Sequence, residues 1–206
     1  MPDQIENAEY MAQLLAASED TQTLAKMLGA ALEEDDIGER AALLLALALK
    51  KEPLATLELI KYDGREENPD VLAVFLKVLG ISARNHPYLV REISNRLLRY
   101  LRHEEPLVRH GAIVGLTSLL KSGRTGDLQA ILGLSTAANT DEHPINRSAA
   151  AEGLMDWGIP HLENIARAPR HVLDSVILLA LDPILEDCAE RGETEVKMAC
   201  TGALQA

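Results

Sequence analysis

Arg91, Asn95, Arg99 and Arg102 follow one another at steps of four, four and three residues, the spacing that lines side chains along one side of an α-helix. A planar guanidinium can take a carboxylate or a phosphate through two parallel hydrogen bonds, and three of them in a row favour recognition of an acidic segment. Tyr88 and Tyr100 stand close enough in the chain to add stacking surface. The row lies in a basic band: from Arg84 to Arg124 there are eight arginines and lysines against three glutamates, a net of +5. Residues 1–83 carry −9 and residues 125–206 carry −8, so two acidic flanks enclose the band. The competing reading is a solvated basic face neutralised by Glu92, Glu104 and those flanks.

No other residues have the spacing of a reactive centre. Ser148, Ser175 and Thr201 lack the histidine and aspartate that would activate a nucleophile, and no glycine-rich phosphate loop occurs. Glu33-Glu34-Asp35-Asp36 has neither the alternating ligands nor the central glycine of a calcium loop. It reads as a solvated linker whose charge favours the N-terminus of the following helix. The expectation is a non-enzymatic protein with no catalytic residues, no metal and no cofactor.

The row needs a helix to carry it, and 87–103 supplies one, opened by Pro87 with Leu89, Val90, Ile93, Leu97 and Leu101 turned to a core. The next helix begins at Pro106 within EPLVRHGAIVGLTSLLKSG. Leu107, Ala112, Leu116 and Leu119 recur there at helical spacing beside Val108, Gly111 and Gly115. Each of those glycines costs a helix roughly 1 kcal/mol relative to alanine, which a close neighbouring helix would explain.

That phrase returns. Pro144, Arg147, Ala150, Gly153 and Leu154 stand 38 positions after Pro106, Arg109, Ala112, Gly115 and Leu116, and Val196, Lys197, Cys200, Ala203 and Leu204 echo the phrase again. Weaker copies open near Ile37, Pro69 and Pro169. Arg109, Arg147 and Lys197 share one repeat position, which suits a structural bridge between neighbouring loops. Further helices are expected over 3–17, 20–32, 37–50, from Pro53 to Asp63, 69–82, 126–137, 144–157, 159–167, 170–181, 183–191 and 193–205. Helical pairs repeating at 25 to 40 or so residues are the signature of a solenoid.

A proline or acidic residue, then Val-Arg or Val-Lys, two residues, Ala, and a Gly-Leu or Ala-Leu pair resembles HEAT repeats. The short spacing from Pro144 to Pro169, with Gly158-Ile159-Pro160 between, is most similar to the short HEAT-like repeats of phycobilin lyases and bacterial scaffolds. The resemblance covers about residues 37–206 and implies an all-α fold, a right-handed α-α superhelix of stacked helical hairpins. It also implies that the second helix of each pair lines a concave surface, where Arg91, Asn95, Arg99 and Arg102 would meet an acidic partner segment. Three functions follow from it: a protein-binding scaffold or adaptor, a lyase-like or chaperone-like protein acting on a bound cofactor, and a nucleic-acid binder using the basic band. His103-Glu104 resembles the His-Glu pairs of HEAT-like iron hydroxylases, which need several such pairs where this chain has one.

Composition agrees with this. The 206 residues hold six aromatics, one Trp, four Tyr and one Phe, which suits helices packed through leucine and alanine and argues against strands. No linker is evident, so 1–206 reads as one domain, with 1–36 as capping helices and 37–206 as repeats. A net charge of −12 opposes nucleic acid and anionic membranes overall. The apolar run Ala41 to Leu49 is too short to span a bilayer. Cys188 and Cys200 read as buried thiols, and MPDQIENAEY lacks the pattern of a signal peptide, so a cytoplasmic location is expected. The apolar face of the last helix suggests self-association through that end.

Overall fold

The computed structural model describes residues 2–34, 36–121 and 128–167. Among them it has α-helices and no strand: α1 (Pro2–Ser18), α2 (Thr21–Glu34), α3 (Ile37–Leu49), α4 (Pro53–Tyr62), α5 (Pro69–Ser82), α6 (Val90–Tyr100), α7 (Pro106–Leu120), α8 (Leu128–Thr140) and α9 (Pro144–Arg167). The first helices of successive pairs stack directly, α1 on α3, α3 on α5, α5 on α7 and α7 on α9. The second helices form another layer whose members touch much less. This is an all-α solenoid of stacked hairpins. Its core runs between the layers through Leu43, Leu59, Phe75, Ile93, Leu116 and Leu134, all fully buried.

Local chemistry sets the helix starts. Pro53, Pro69, Pro106 and Pro144 each open a helix, where the absent N–H would have had no intrahelical acceptor. Asp36 caps α3 by accepting from the Glu39 N–H at 2.9 Å, and Asn68 caps α5 by accepting from Asp70 and Val71. The stacking of α5 on α7 depends on bare backbone. A Cβ on Gly80 would fall 2.1 Å from the carbonyl oxygen of Gly115, and one on Gly111 would fall 2.6 Å from that of Ala73.

Four details differ from the sequence reading. The helix expected over 87–103 is shorter at both ends. Pro87–Leu89 form a single 3₁₀ turn, with the Leu89 N–H on the His86 carbonyl at 2.9 Å, and the α-helix begins at Val90. At the other end the His103 N–H bonds to the Tyr100 carbonyl at 3.1 Å, which tightens the chain out of the helix and leaves Arg102 in the turn beyond it. Helices expected separately over 144–157 and 159–167 are one element, α9: proline's fixed φ is itself helical, and the chain runs on through Pro160 at the cost of a ladder bond and crowding against the preceding turn. Leu107, expected in the core, is 44% exposed while Val108 takes the buried place. The expected helices 170–181, 183–191 and 193–205, both cysteines, Lys197 and the C-terminal contact all lie outside the described residues.

Candidate protein-binding face

The side chains along α6 are organised by a carboxylate from the preceding hairpin. Asp63 closes α4, its N–H on the Ile60 carbonyl. Its side chain, 5% exposed, receives Arg96 Nη1 at 2.5 Å and Arg99 Nη2 at 2.6 Å on Oδ2, and the Tyr100 hydroxyl at 2.7 Å on Oδ1. Arg96 also reaches Glu92 at 2.9 Å, one turn back. Burial, then the hydrogen bond to Asp63 and its negative charge, push the Tyr100 phenol up to about 12. α4 and α6 are thus joined through ionic and hydroxyl bonds, where α5 and α7 are joined by backbone contact. Arg99 remains 64% exposed, and among the described residues only its Nη2 is engaged. Its other N–H groups have no hydrogen-bond partner among the described residues.

A second set of arginines ties two of the hairpins to the ones that follow them. Arg109, in the first turn of α7, donates Nη1 to the carbonyls of His103 and Glu104, both at 2.9 Å. It closes a two-bond fork on Asp141, Nε to Oδ2 at 2.8 Å and Nη2 to Oδ1 at 3.0 Å. Arg40 on α3 pairs with Glu66 in a similar way, Nη2 donating to Oε1 at 3.4 Å and Nε lying 3.0 Å from Oε2 as an ion pair, with the Tyr62 hydroxyl donating to Oε2 at 2.5 Å. Each acid stands three residues before the proline that opens the next first helix, Glu66 before Pro69 and Asp141 before Pro144. Arg147 holds its own loop, through the Asp141 and Glu142 carbonyls. Burial pushes the Asp141 carboxyl upward, but the Arg109 fork and the His143 N–H outweigh it, so the net displacement is downward.

This bonding changes the meaning of the basic band. Arg96 and Arg99 are matched by Asp63, Arg109 by Asp141, and Lys121 by Asp156 at 2.6 Å, all three acids coming from outside the band. Arg84 donates Nε to the Ser118 carbonyl near the end of α7 at 3.0 Å. Arg91 and Arg102 are exposed and have no ion-pair partner among the described residues. Arg124 lies outside those residues.

Of the four expected binding residues, Arg91, Asn95 and Arg99 form an exposed row on α6, and Arg102 continues it in the following turn. Tyr88 stands exposed before the row, while Tyr100 is committed to Asp63. Arg99 and Arg102 also line a cleft of about 820 Å³ between α6 and α8. Its floor is Leu98, Leu101, Gly133 and Ala137, and its other wall carries Thr136, Thr140 and Glu142. The sequence reading missed the cleft and the role of Asp63, since neither α8's approach to α6 nor an acid in a loop has a linear signature.

Among the described residues no three His, Cys, Asp or Glu side chains are grouped to hold a metal, and no helix is long and apolar enough to cross a membrane. The His103 ring accepts the Glu105 N–H on Nδ1 at 3.1 Å, a turn contact. Trp157 is buried.

A two-layer stack of helical hairpins bound together loop to loop defines an α-solenoid. Residues 57–155 match the family model for HEAT repeats, which supports a HEAT-like repeat family for this chain. Repeats of this kind generally mediate protein–protein interaction. Neither the curated proteins nor the solved structures gave a match.

Proposed function

We propose that this protein is a non-enzymatic scaffold that binds an acidic segment of another protein along α6, using Arg91, Asn95, Arg99 and Arg102. The observation that carries the reading is the state of the arginines. Arg91 and Arg102 are unpaired among the described residues, and Asp63 orients Arg99 while leaving most of its donors free. A fork held in place before the partner arrives loses less rotamer freedom on binding than a free side chain, and so contributes more to affinity. The test is fluorescence anisotropy with a labelled Glu-Glu-Leu-Ala-Leu-Glu-Glu peptide, near physiological salt. R91E/R102E should weaken binding at least tenfold with the helical signal unchanged. Equal binding by the variant would refute the site, and displacement of the peptide by a single-stranded oligonucleotide at lower concentration would favour nucleic acid instead.

A further inference from the structure

We infer, on the strength of the reading above, that the partner segment carries both signs of charge: an acidic stretch on the α6 row, short apolar side chains across the cleft, and a basic stretch beyond it. The two walls of the cleft differ in hydrogen-bond character. On the α6 side, Arg99 and Arg102 offer only donors. On the α8 side, the Thr136 hydroxyl donates to the Leu132 carbonyl at 2.8 Å and the Thr140 hydroxyl donates to the Thr136 carbonyl at 2.8 Å. Each hydroxyl has one proton, so what these threonines turn to the cleft is acceptor lone pairs.

Glu104, in the turn after α6, and Glu142, in the loop after α8, add acceptors at the loop end of the cleft. Both are exposed cleft residues whose carboxylates have no ion-pair partner among the described residues. Arg109 and Asp141 also line the cleft but satisfy each other. The charge left open is therefore Arg102 and the free face of Arg99 along the α6 side, and Glu104 with Glu142 at the loop end. A wholly acidic segment would match the arginines and be repelled by the two glutamates. Between them the apolar floor is closed: a Cβ on Gly133 would lie 2.3 Å from Leu98 Cδ2, so α8 rests on the leucines of α6.

The experiment compares two labelled peptides, Glu-Glu-Leu-Ala-Leu-Lys-Lys and the all-acidic Glu-Glu-Leu-Ala-Leu-Glu-Glu, on wild type, E104K/E142K and R91E/R102E. The mixed peptide should bind wild type about five- to tenfold more tightly than the acidic one. E104K/E142K should reverse that order, weakening the mixed peptide and tightening the acidic one. If E104K/E142K leaves the order unchanged, or wild type prefers the acidic peptide, the two-signed segment is overturned while the acidic-segment reading stands. If R91E/R102E binds either peptide as well as wild type does, both fail.

Discussion

Arg109 and Asp141, 32 residues apart in the chain, meet as a two-bond fork with the Asp141 side chain only 3% exposed. The same guanidinium holds the loop before its own helix, so one side chain fixes the entry to α7 and the entry to α9 together.

Arg109→Leu would leave the Asp141 carboxylate buried without its cation and two loop carbonyls without their donor. Removing one partner of such a pair costs about 3–5 kcal/mol. A fall of that size in urea-unfolding free energy is expected. A loss below about 1 kcal/mol would show the fork to be dispensable.

The same pair has a pH signature. Asp141 is displaced below its ordinary value in the folded chain, so its stabilising contribution is complete above the unfolded carboxylate value of about 3.9 and is lost as pH falls through the folded one. Wild type should exceed Asp141→Asn in stability at pH 7, and the gap should narrow below about pH 4. Unfolding curves at pH 7, 5, 4 and 3 test this. A gap that widens on acidification would reverse the assigned direction.

Gly80→Ala and Gly29→Ala should differ in sign. At Gly80 the new methyl would meet the Gly115 backbone, which cannot rotate away, and separating α5 from α7 should cost about 1–3 kcal/mol. At Gly29 nothing lies within 4 Å, so alanine should raise stability by roughly 0.5–1 kcal/mol through helix propensity. Thermal melts of the two variants decide it.

Asp63→Asn removes the anion that helps hold the Tyr100 proton. The Tyr100 midpoint, pushed up to about 12, should fall toward the ordinary tyrosine value of about 10. Tyrosinate absorbance, referenced to the corresponding variants that also carry Tyr100→Phe, isolates its signal. An unchanged midpoint would mean that burial alone is responsible.

Among the arginines of the proposed site, Arg99 should behave differently from its neighbours. Arg99→Glu sets a carboxylate against Asp63 and should lower the melting temperature. R91E/R102E touches no ion pair among the described residues and should stay within about 0.5 kcal/mol of wild type.

Much of the architecture was legible because single residues carry it. Prolines at 53, 69, 106 and 144 mark helix starts by chemistry that needs no tertiary context, and Gly111 and Gly115 signalled a close neighbour that proved to be α5. Pro160 is the opposite case: the residue that breaks most helices stands inside α9, since local preference does not settle whether a helix continues. The arginine row was visible as a spacing, yet its charge was overstated. A count along the chain sums Arg96, Arg99, Arg109 and Lys121 as free, whereas folding brings Asp63, Asp141 and Asp156 to them from the flanks. The cleft was illegible for a related reason, since its walls come from two hairpins and acquire opposite character only through bonds made after they meet.

Where Gly80 meets Gly115 there are no rotamers between α5 and α7 through which the two pairs could slide, so that joint behaves as a weld. The opposite side of the same joint, where α8 meets α6, is closed by the leucines under Gly133, which are movable side chains. A guest entering between α6 and α8 would therefore press on a jaw that yields along one edge only, and the gape it can force is set by how far those leucines swing.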